Sequence, residues 1–347
     1  MTQAQQLQKV LEEYRWMGIA EQIDYDKFYL YSLITHSTAI EGSTVTEVEN
    51  QLLFDEGITA KGRTMQEQLM NLDLKSAYEQ SIRLAKAHTD FSTEMLCGLS
   101  AIVMKNTGSV YNTVLGSFDA SKGDLRLVNV SAGFGGSSYM DFHKVPAALA
   151  EFCQWLNERR TTVGDNPIEQ YIISFDAHLR LVTIHPWVDG NGRMARLLMN
   201  HLQFEYGLVP TRVNKESKSE YINALIASRE AESPEPFRRF MLKEHIANLS
   251  RELAEYKRQT GGQKTVEVDR KGGQKTREAL LRMIAADPAV TTTQMAAALG
   301  INRSAVSKHL NRLKADGLLR RVGPDKGGHW EQLEAPPPFF DPSSCLL

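Results

Sequence analysis

The sequence predicts an all-α protein carrying two short β pieces, on three observations. Most long segments repeat apolar residues at helical period, helix-start signatures precede many of them, and glycines flanked by β-prone runs occur at two places. The chain has 347 residues, 42% hydrophobic and 24% charged, which is ordinary globular composition and enough length for two domains or more. A net charge of −2 gives no overall field directed at nucleic acid or membrane. Cys97, Cys153 and Cys345 are widely separated, form no metal-type pair, and fit a reducing compartment. The segment 1–14 is polar and lacks an apolar signal core, and no apolar run approaches the ~20 residues that span a bilayer. A cytoplasmic protein with no membrane contact is expected.

In chain order, residues 25–40 are strongly periodic and end near Gly42, which reads as a left-handed helix cap. Thr44-x-x-Glu47 reads as a capping box that restarts a helix through Phe54, and Thr64-x-x-Glu67 opens another to about His88. Residues 92–106 and 145–160 follow as helices, then 167–181 with Asn166 as cap and Pro167 in first position. Ser217-x-x-Glu220 caps a helix carrying Tyr221, and Ser233 caps residues 234–259. Between these, Leu125, Leu127 and Val128 precede Gly133-Phe134-Gly135-Gly136-Ser137 and Tyr139, which suggests a hairpin over 125–140.

Composition shifts after residue 250. Residues 260–276 are rich in Gly, Lys and Gln and repeat Gly-Gly-Gln-Lys-Thr, which reads as a linker. Beyond it come short helices over 277–286, 293–299 and 303–316, the last capped by Asn302, then strands over 318–322 and 330–333 around a Gly-Pro-Asp-Lys-Gly-Gly turn. This order resembles a winged helix-turn-helix domain. From 277 to 330 nine basic and four acidic residues give net +5. Arg303, Ser304, Ser307, Lys308 and Asn311 can share one face of the recognition helix, with Arg321 on the wing, so double-stranded DNA is an expected partner. A protein-interaction role is the competing reading.

The chemistry concentrates in Ile184–Asn200. A loop, His185 to Gly190, delivers a histidine, a carboxylate and glycines onto the start of a periodic helix. Free N–H groups at a helix N-terminus bind anions, and Gly190 and Gly192 permit close backbone approach. Arg193 and Arg196 can hold further phosphate oxygens, Asp189 suits Mg²⁺ beside them, and His185 can take a proton. These parts describe nucleotide-dependent phosphoryl or nucleotidyl transfer. Gly190–Ala195 also fits G-x-G-x-x-[GA], but that fingerprint needs a strand before it, and the preceding segment is helical.

The run His185-Pro186-Trp187-Val188-Asp189-Gly190-Asn191-Gly192-Arg193-Met194-Ala195-Arg196 resembles the signature of the Fic family, with Trp187 in place of its phenylalanine. The resemblance implies a Fic-type helical core with a β-hairpin flap at Gly133–Ser137 that pins a target polypeptide by strand addition. It implies AMP transfer from ATP to a Ser, Thr or Tyr hydroxyl of a target protein, with pyrophosphate leaving. His185 would be the base, Asp189 the Mg²⁺ ligand, Gly190, Asn191 and Gly192 the anion hole, and Arg193 and Arg196 the partners of the β- and γ-phosphates. Tyr221 would contact the adenine, and the intact Gly192 argues against the family's kinase-like branch. His178, seven residues before the motif, reads as a packed histidine.

Ser37-Thr38-Ala39-Ile40-Glu41-Gly42 resembles the family's inhibitory motif, whose glutamate pairs with the second signature arginine, here Arg196. The expected organisation is an inhibitory helical region over 1–90, a catalytic core over 91–250, a linker over 251–276, the winged helix over 277–333 and a tail over 334–347. Removal of AMP from a modified target and a DNA-binding regulator with a nucleotide-sensing core are the alternative functions, and the reading leaves room for a homodimer.

Overall fold

The computed structural model describes residues 2–21, 25–132, 138–260 and 279–299, and beyond these the stretches 306–307, 309–310, 313–314, 319–322 and 328–333. The chain forms two compact units, 1–256 and 257–347.

The first unit is helical. Helix α1 (Gln3–Met17), which the sequence reading left out, starts at a capping box between Thr2 and Gln5 and ends at left-handed Gly18. Its polar surface hid it, yet Leu7, Leu11, Tyr14 and Met17 form a buried stripe. Helix α2 (Tyr25–Ile40) leads through Glu41 and Gly42 to α3 (Glu47–Glu56). The Thr44–Glu47 box does not form. Thr46 caps α3 with Glu49, while the Thr44 N–H and hydroxyl donate to Glu67 at 2.7 and 2.6 Å. The sequence Thr-Val-Thr-Glu-Val-Glu offers two overlapping boxes, and the tertiary fold selects the later one because Glu47 accepts a bond from the Ser32 hydroxyl instead. Helix α4 (Met65–Lys86) does use the Thr64–Glu67 box, and α5 (Thr93–Val103) is capped by Ser92.

A two-stranded hairpin follows, β1 (Val110–Thr113) and β2 (Gly116–Asp119), paired antiparallel with Tyr111 opposite Phe118. Nothing in the local pattern signals it, since its strands are four residues long and Val114 and Leu115 form the turn. The hairpin expected over 125–140 has no regular ladder among the described residues. It is reduced to one antiparallel bridge, Ser131 to Ser138, and a Tyr139 N–H bond to the Val130 carbonyl at 3.0 Å. Gly133, Phe134, Gly135, Gly136 and Ser137 lie outside the described residues.

Helix α6 (Val145–Thr162) precedes α7 (Pro167–Ile184), where Asn166 Oδ1 accepts from the first-turn amides of Ile168 and Glu169 and Pro167 takes the first position. Helix α8 (Asn191–Glu205) packs along α7. Two apolar clusters meet at this pair. Met194, Leu197, Leu198 and Leu202 face one with α2, α4, α5 and α6, and Met199 faces the other with α1 and the last two helices. A helix buried on every side is held rigidly, so α8 is a fixed platform for its own N-terminus. Helix α9 (Lys218–Glu230) starts at Ser217, which donates to Glu244 rather than capping its own helix, and α10 (Glu235–Thr260) closes the unit.

In the second unit residues 279–286 are helical, α11 (Thr292–Leu299) follows a Thr291–Gln294 capping box, and β3 (Leu319–Val322) pairs antiparallel with β4 (His329–Gln332). Leu280, Ile284, Met295, Val306, Leu310, Leu313, Leu319 and Trp330 form its core. Asn302, Arg303, Ser304, Lys308 and Asn311 lie outside the described residues.

Candidate active site

The site forms where α7 ends and α8 begins. His185 terminates α7 in the left-handed region, φ 55° and ψ 61°, with its N–H still donating to the Leu181 carbonyl. Pro186 disfavours continuing the helix, and a non-glycine residue at such φ is a strained position that surrounding contacts must hold. Arg126 supplies them. This guanidinium, 1% exposed, donates from Nε to the His185 carbonyl at 2.8 Å, from Nη1 to Val128 and from Nη2 to Met140, while the Arg126 amide donates to the Pro186 carbonyl at 3.1 Å. One buried side chain thus ties the histidine loop to both ends of the segment around residues 133–137. Sequence reasoning missed Arg126, because a lone arginine in the run Leu-Arg-Leu-Val reads as an outward charge on a strand.

The rest of the loop is closed by Trp187 and Asn191. Asn191 Oδ1 accepts from the Trp187 amide at 3.1 Å and its Nδ2 donates to the Trp187 carbonyl at 2.8 Å, while the indole donates to the Gly123 carbonyl at 3.0 Å. The side chain of Asn191 is therefore a loop clamp, and its backbone N–H is the group it leaves to face an anion. Gly190 caps α8 at φ 80° with no side-chain cap bond, and a Cβ there would lie 2.7 Å from the Met104 sulfur. The amides of Asn191, Gly192 and Arg193 consequently have no acceptor within the helix.

His185 Nδ1 lies 3.2 Å from the Val182 carbonyl. A carbonyl only accepts, so Nδ1 carries the proton and Nε2 presents a lone pair. Burial, with Arg126 and Arg229 adding to it, pulls the imidazole down to about 4, so it is neutral at physiological pH. Its ring stacks on Tyr139 at 3.7 Å with an interplanar angle of 18°.

Arg193 and Arg196 are both buried on the first turns of α8, yet their surroundings differ. Arg193 Nη2 lies 3.1 Å from the Met104 sulfur and 3.5 Å from Asp189, and its Nε and Nη1 are buried without a partner. Burial lowers the pKa of this guanidinium. Two orphaned donors beside the free amides of a helix N-terminus fit an absent anion. Asp189 is exposed; Oδ1 accepts from the Gly190 amide at 2.6 Å. No cluster of three or more potential metal ligands exists among the described residues. A single exposed carboxylate beside an anion cradle suits Mg²⁺, which completes its shell with phosphate oxygens and water.

Arg196 by contrast is fully engaged. Nε donates to Ser37 Oγ at 2.8 Å, Nη2 to the Ser37 carbonyl at 3.0 Å and to Glu41 Oε1 at 2.5 Å, and Nη1 to the Tyr221 hydroxyl at 3.4 Å. Burial would raise the Glu41 carboxyl, but the charge and hydrogen bond of Arg196, with Arg193 and Lys218 further away, hold it below the usual range. The same Oε1 lies 2.6 Å from where a Cβ on Gly192 would be, so the carboxylate stands against the start of α8. Gly42 turns the chain here at φ 106°.

Tyr221 requires a correction. It is 1% exposed, packs on Phe237 and Phe240, and its hydroxyl sits between Arg196 and His178 Nε2 at 2.9 Å, so it supports the arginine from the core and offers no face to a base. His178 is buried and stacked on Phe237, a packed histidine. In the second unit Ser307 is exposed and helical. On the wing strands the Arg321 guanidinium lies 4.8 Å from the Trp330 ring, and neighbouring Arg320 pairs with Glu331 at 2.5 Å.

Residues 90–203 match the Fic/DOC family and residues 279–328 the MarR family. The chain is similar to protein adenylyltransferase fic-1 of Caenorhabditis briggsae, 28% identical over 238 residues covering 68% of this chain and 43% of that protein. It is 28% identical over 217 residues to protein adenylyltransferase Fic of Drosophila grimshawi, covering 60% and 40%. It thus spans about two fifths of the length of these relatives. A solved Fic-1 fragment from C. elegans superposes with TM-score 0.60 at 22% identity, over 74% of this chain and 72% of that one. A Fic family protein from Desulfovibrio desulfuricans gives 0.58 at 19%, over 96% and 97%. At these identities the structural likeness is one of fold. The fold is mostly helical, with a winged helix at its C-terminus, and no described helix is long and apolar enough to cross a membrane.

Proposed function

We propose, from the match of residues 90–203 to the Fic/DOC family, that the chain is an autoinhibited protein adenylyltransferase. It moves AMP from ATP to a Ser, Thr or Tyr hydroxyl of a target protein and releases pyrophosphate. The reading is supported by relatives named protein adenylyltransferases. The observation that carries it is the contrast between two buried arginines on one helix, Arg193 with open donors and Arg196 closed by Glu41 and Ser37.

In this mechanism His185 Nε2 accepts the proton of the target hydroxyl as the oxygen attacks the α-phosphate. Val182 keeps the required tautomer and Arg126 holds the backbone of the base. The amides at the α8 N-terminus and Arg193 bind phosphate oxygens, so catalysis is positioning plus charge stabilisation. Asp189 would hold Mg²⁺, which supplies neutralisation of phosphate charge when bound. Glu41 withholds Arg196 from the γ-phosphate and places a negative charge where that phosphate would lie, so ATP binds in an unreactive pose until the lock opens. The test is incubation of the full chain with α-labelled ATP and lysate from its own cells. Label on protein that is absent with His185→Ala and increased with Glu41→Gly supports the proposal; no label from any variant refutes it.

A second role attaches to the C-terminal unit, which we propose binds double-stranded DNA. The match of 279–328 to the MarR family and the net +5 over 277–330 support it.

A further inference from the structure

The stacking of Tyr139 on His185 is not required by the mechanism just given, and it is close and nearly parallel, 3.7 Å between centroids at 18°. Stacking constrains a ring's plane while leaving its edge open. The proton on Nδ1 is already committed to the Val182 carbonyl, so the remaining freedom of the imidazole is rotation about its side-chain bonds. A flat aromatic surface against one face removes much of that freedom without obstructing the in-plane lone pair of Nε2. Tyr139 is itself held at both ends. Its amide donates to the Val130 carbonyl, next to the Ser131–Ser138 bridge, and the guanidinium of Arg229, from α9, lies 5.0 Å from its ring centroid. Arg229 Nη1 is buried without a hydrogen-bond partner, so this cation has the tyrosine ring where a carboxylate would be expected. Arg229 also lines a cavity of about 620 Å³ with Phe152, Leu179 and Ile184.

We infer that Tyr139, held by Arg229, is a positioning residue that fixes the ring plane of His185 and so aims Nε2 at the incoming hydroxyl. The inference rests on the reading of His185 as the base. Misplacing a catalytic group by about 1 Å can reduce rate by roughly 10²-fold. Charged groups near the imidazole are Arg126 on the preceding segment, Arg229 on α9 and Asp189 on the loop, and Tyr139→Phe keeps the ring that Arg229 faces.

The experiment uses the full chain with Glu41→Gly as parent, and adds Tyr139→Ala or Tyr139→Phe. AMP transfer, ATP affinity and the NMR resonances of the His185 ring protons are measured together. Tyr139→Ala is expected to slow transfer between ~10- and ~100-fold with ATP affinity unchanged, while Tyr139→Phe, which keeps the ring, retains the parent rate. A stacked ring shifts the protons above it upfield, so the parent and Tyr139→Phe should share an upfield His185 signal that Tyr139→Ala loses. Parental transfer by Tyr139→Ala, or a His185 signal without the upfield shift in the parent, overturns the inference. A parent that transfers no AMP while its His185 signal is shifted sinks the assignment of the base and leaves the ring-plane assignment standing.

Discussion

Replacing Glu41 by glycine should activate the enzyme, and the structure sets the size of the effect. Glu41 gives Arg196 one charge-assisted hydrogen bond at 2.5 Å, with the guanidinium side chain 4% exposed and the carboxylate side chain 33% exposed. Hydrogen bonds involving charged groups contribute about 1.5–3 kcal/mol, and the partial exposure of Glu41 puts this one toward the lower part of that range. At about 1.4 kcal/mol per tenfold, the locked pose is favoured by roughly 10- to 30-fold, and the gain in rate should fall in that interval. Glycine at 41 does not let Arg196 wander, because Ser37 still receives bonds from Nε and Nη2 and Tyr221 still lies beside Nη1. The freed donor therefore stays where a γ-phosphate would meet it. The assay is the initial rate of label incorporation from α-labelled ATP into the protein itself and into lysate. Glu41→Gln, which keeps the shape and removes the charge, should give part of the gain, and Glu41→Gly with Arg196→Ala should lose it. Equal labelling by wild type and Glu41→Gly at matched concentration would refute the lock.

Three other outcomes are expected. His185→Ala should reduce transfer by ~10²–10⁴-fold with ATP affinity nearly unchanged, measured by labelling and by equilibrium binding; because burial holds the imidazole at about 4, the His185-dependent rate should be flat above pH 6 and fall only as acid protonates Nε2. Acid should destabilise the first unit through its buried histidines: burial pulls His201 and His245 down to about 3, so the unfolded chain takes up protons first, and stability present above the unfolded value of ~6.5 is lost as pH falls toward 3. Thermal unfolding between pH 7 and 4 checks this, and His245→Phe, which cannot be protonated, should flatten the fall. On duplex DNA the full chain should lose affinity steeply with salt, and Lys308→Ala should lower that slope by ~1. Arg321→Ala should change it less, since that guanidinium lies over Trp330; no binding at low salt would leave a protein-interaction role for the unit.

The chemistry of the site was legible in sequence because it is local. His185, Asp189, Gly190, Gly192, Arg193 and Arg196 lie within twelve consecutive residues, and a loop followed by a helix N-terminus presents them together whatever surrounds it. The helices of the core were legible for the same reason, since period and caps are properties of neighbouring residues; α1 escaped because its apolar stripe is narrow, and β1–β2 because the central turn positions are the apolar Val114 and Leu115. What the sequence could not decide were choices between chemically equivalent partners distant along the chain. Nothing local indicates that Arg126 would turn inward to hold the His185 loop, that the Asn191 side chain would clamp Trp187, or that Tyr221 would be sealed beneath Arg196. The two signature arginines are alike in sequence, and only packing separates them. Helix α2 ends against Arg196 and delivers Ser37 and Glu41 to it, while Arg193 faces Met104, whose sulfur is too weak an acceptor to satisfy a guanidinium. One arginine is thereby closed and the other left open by which element packs against each, and that is fixed only when the whole chain folds.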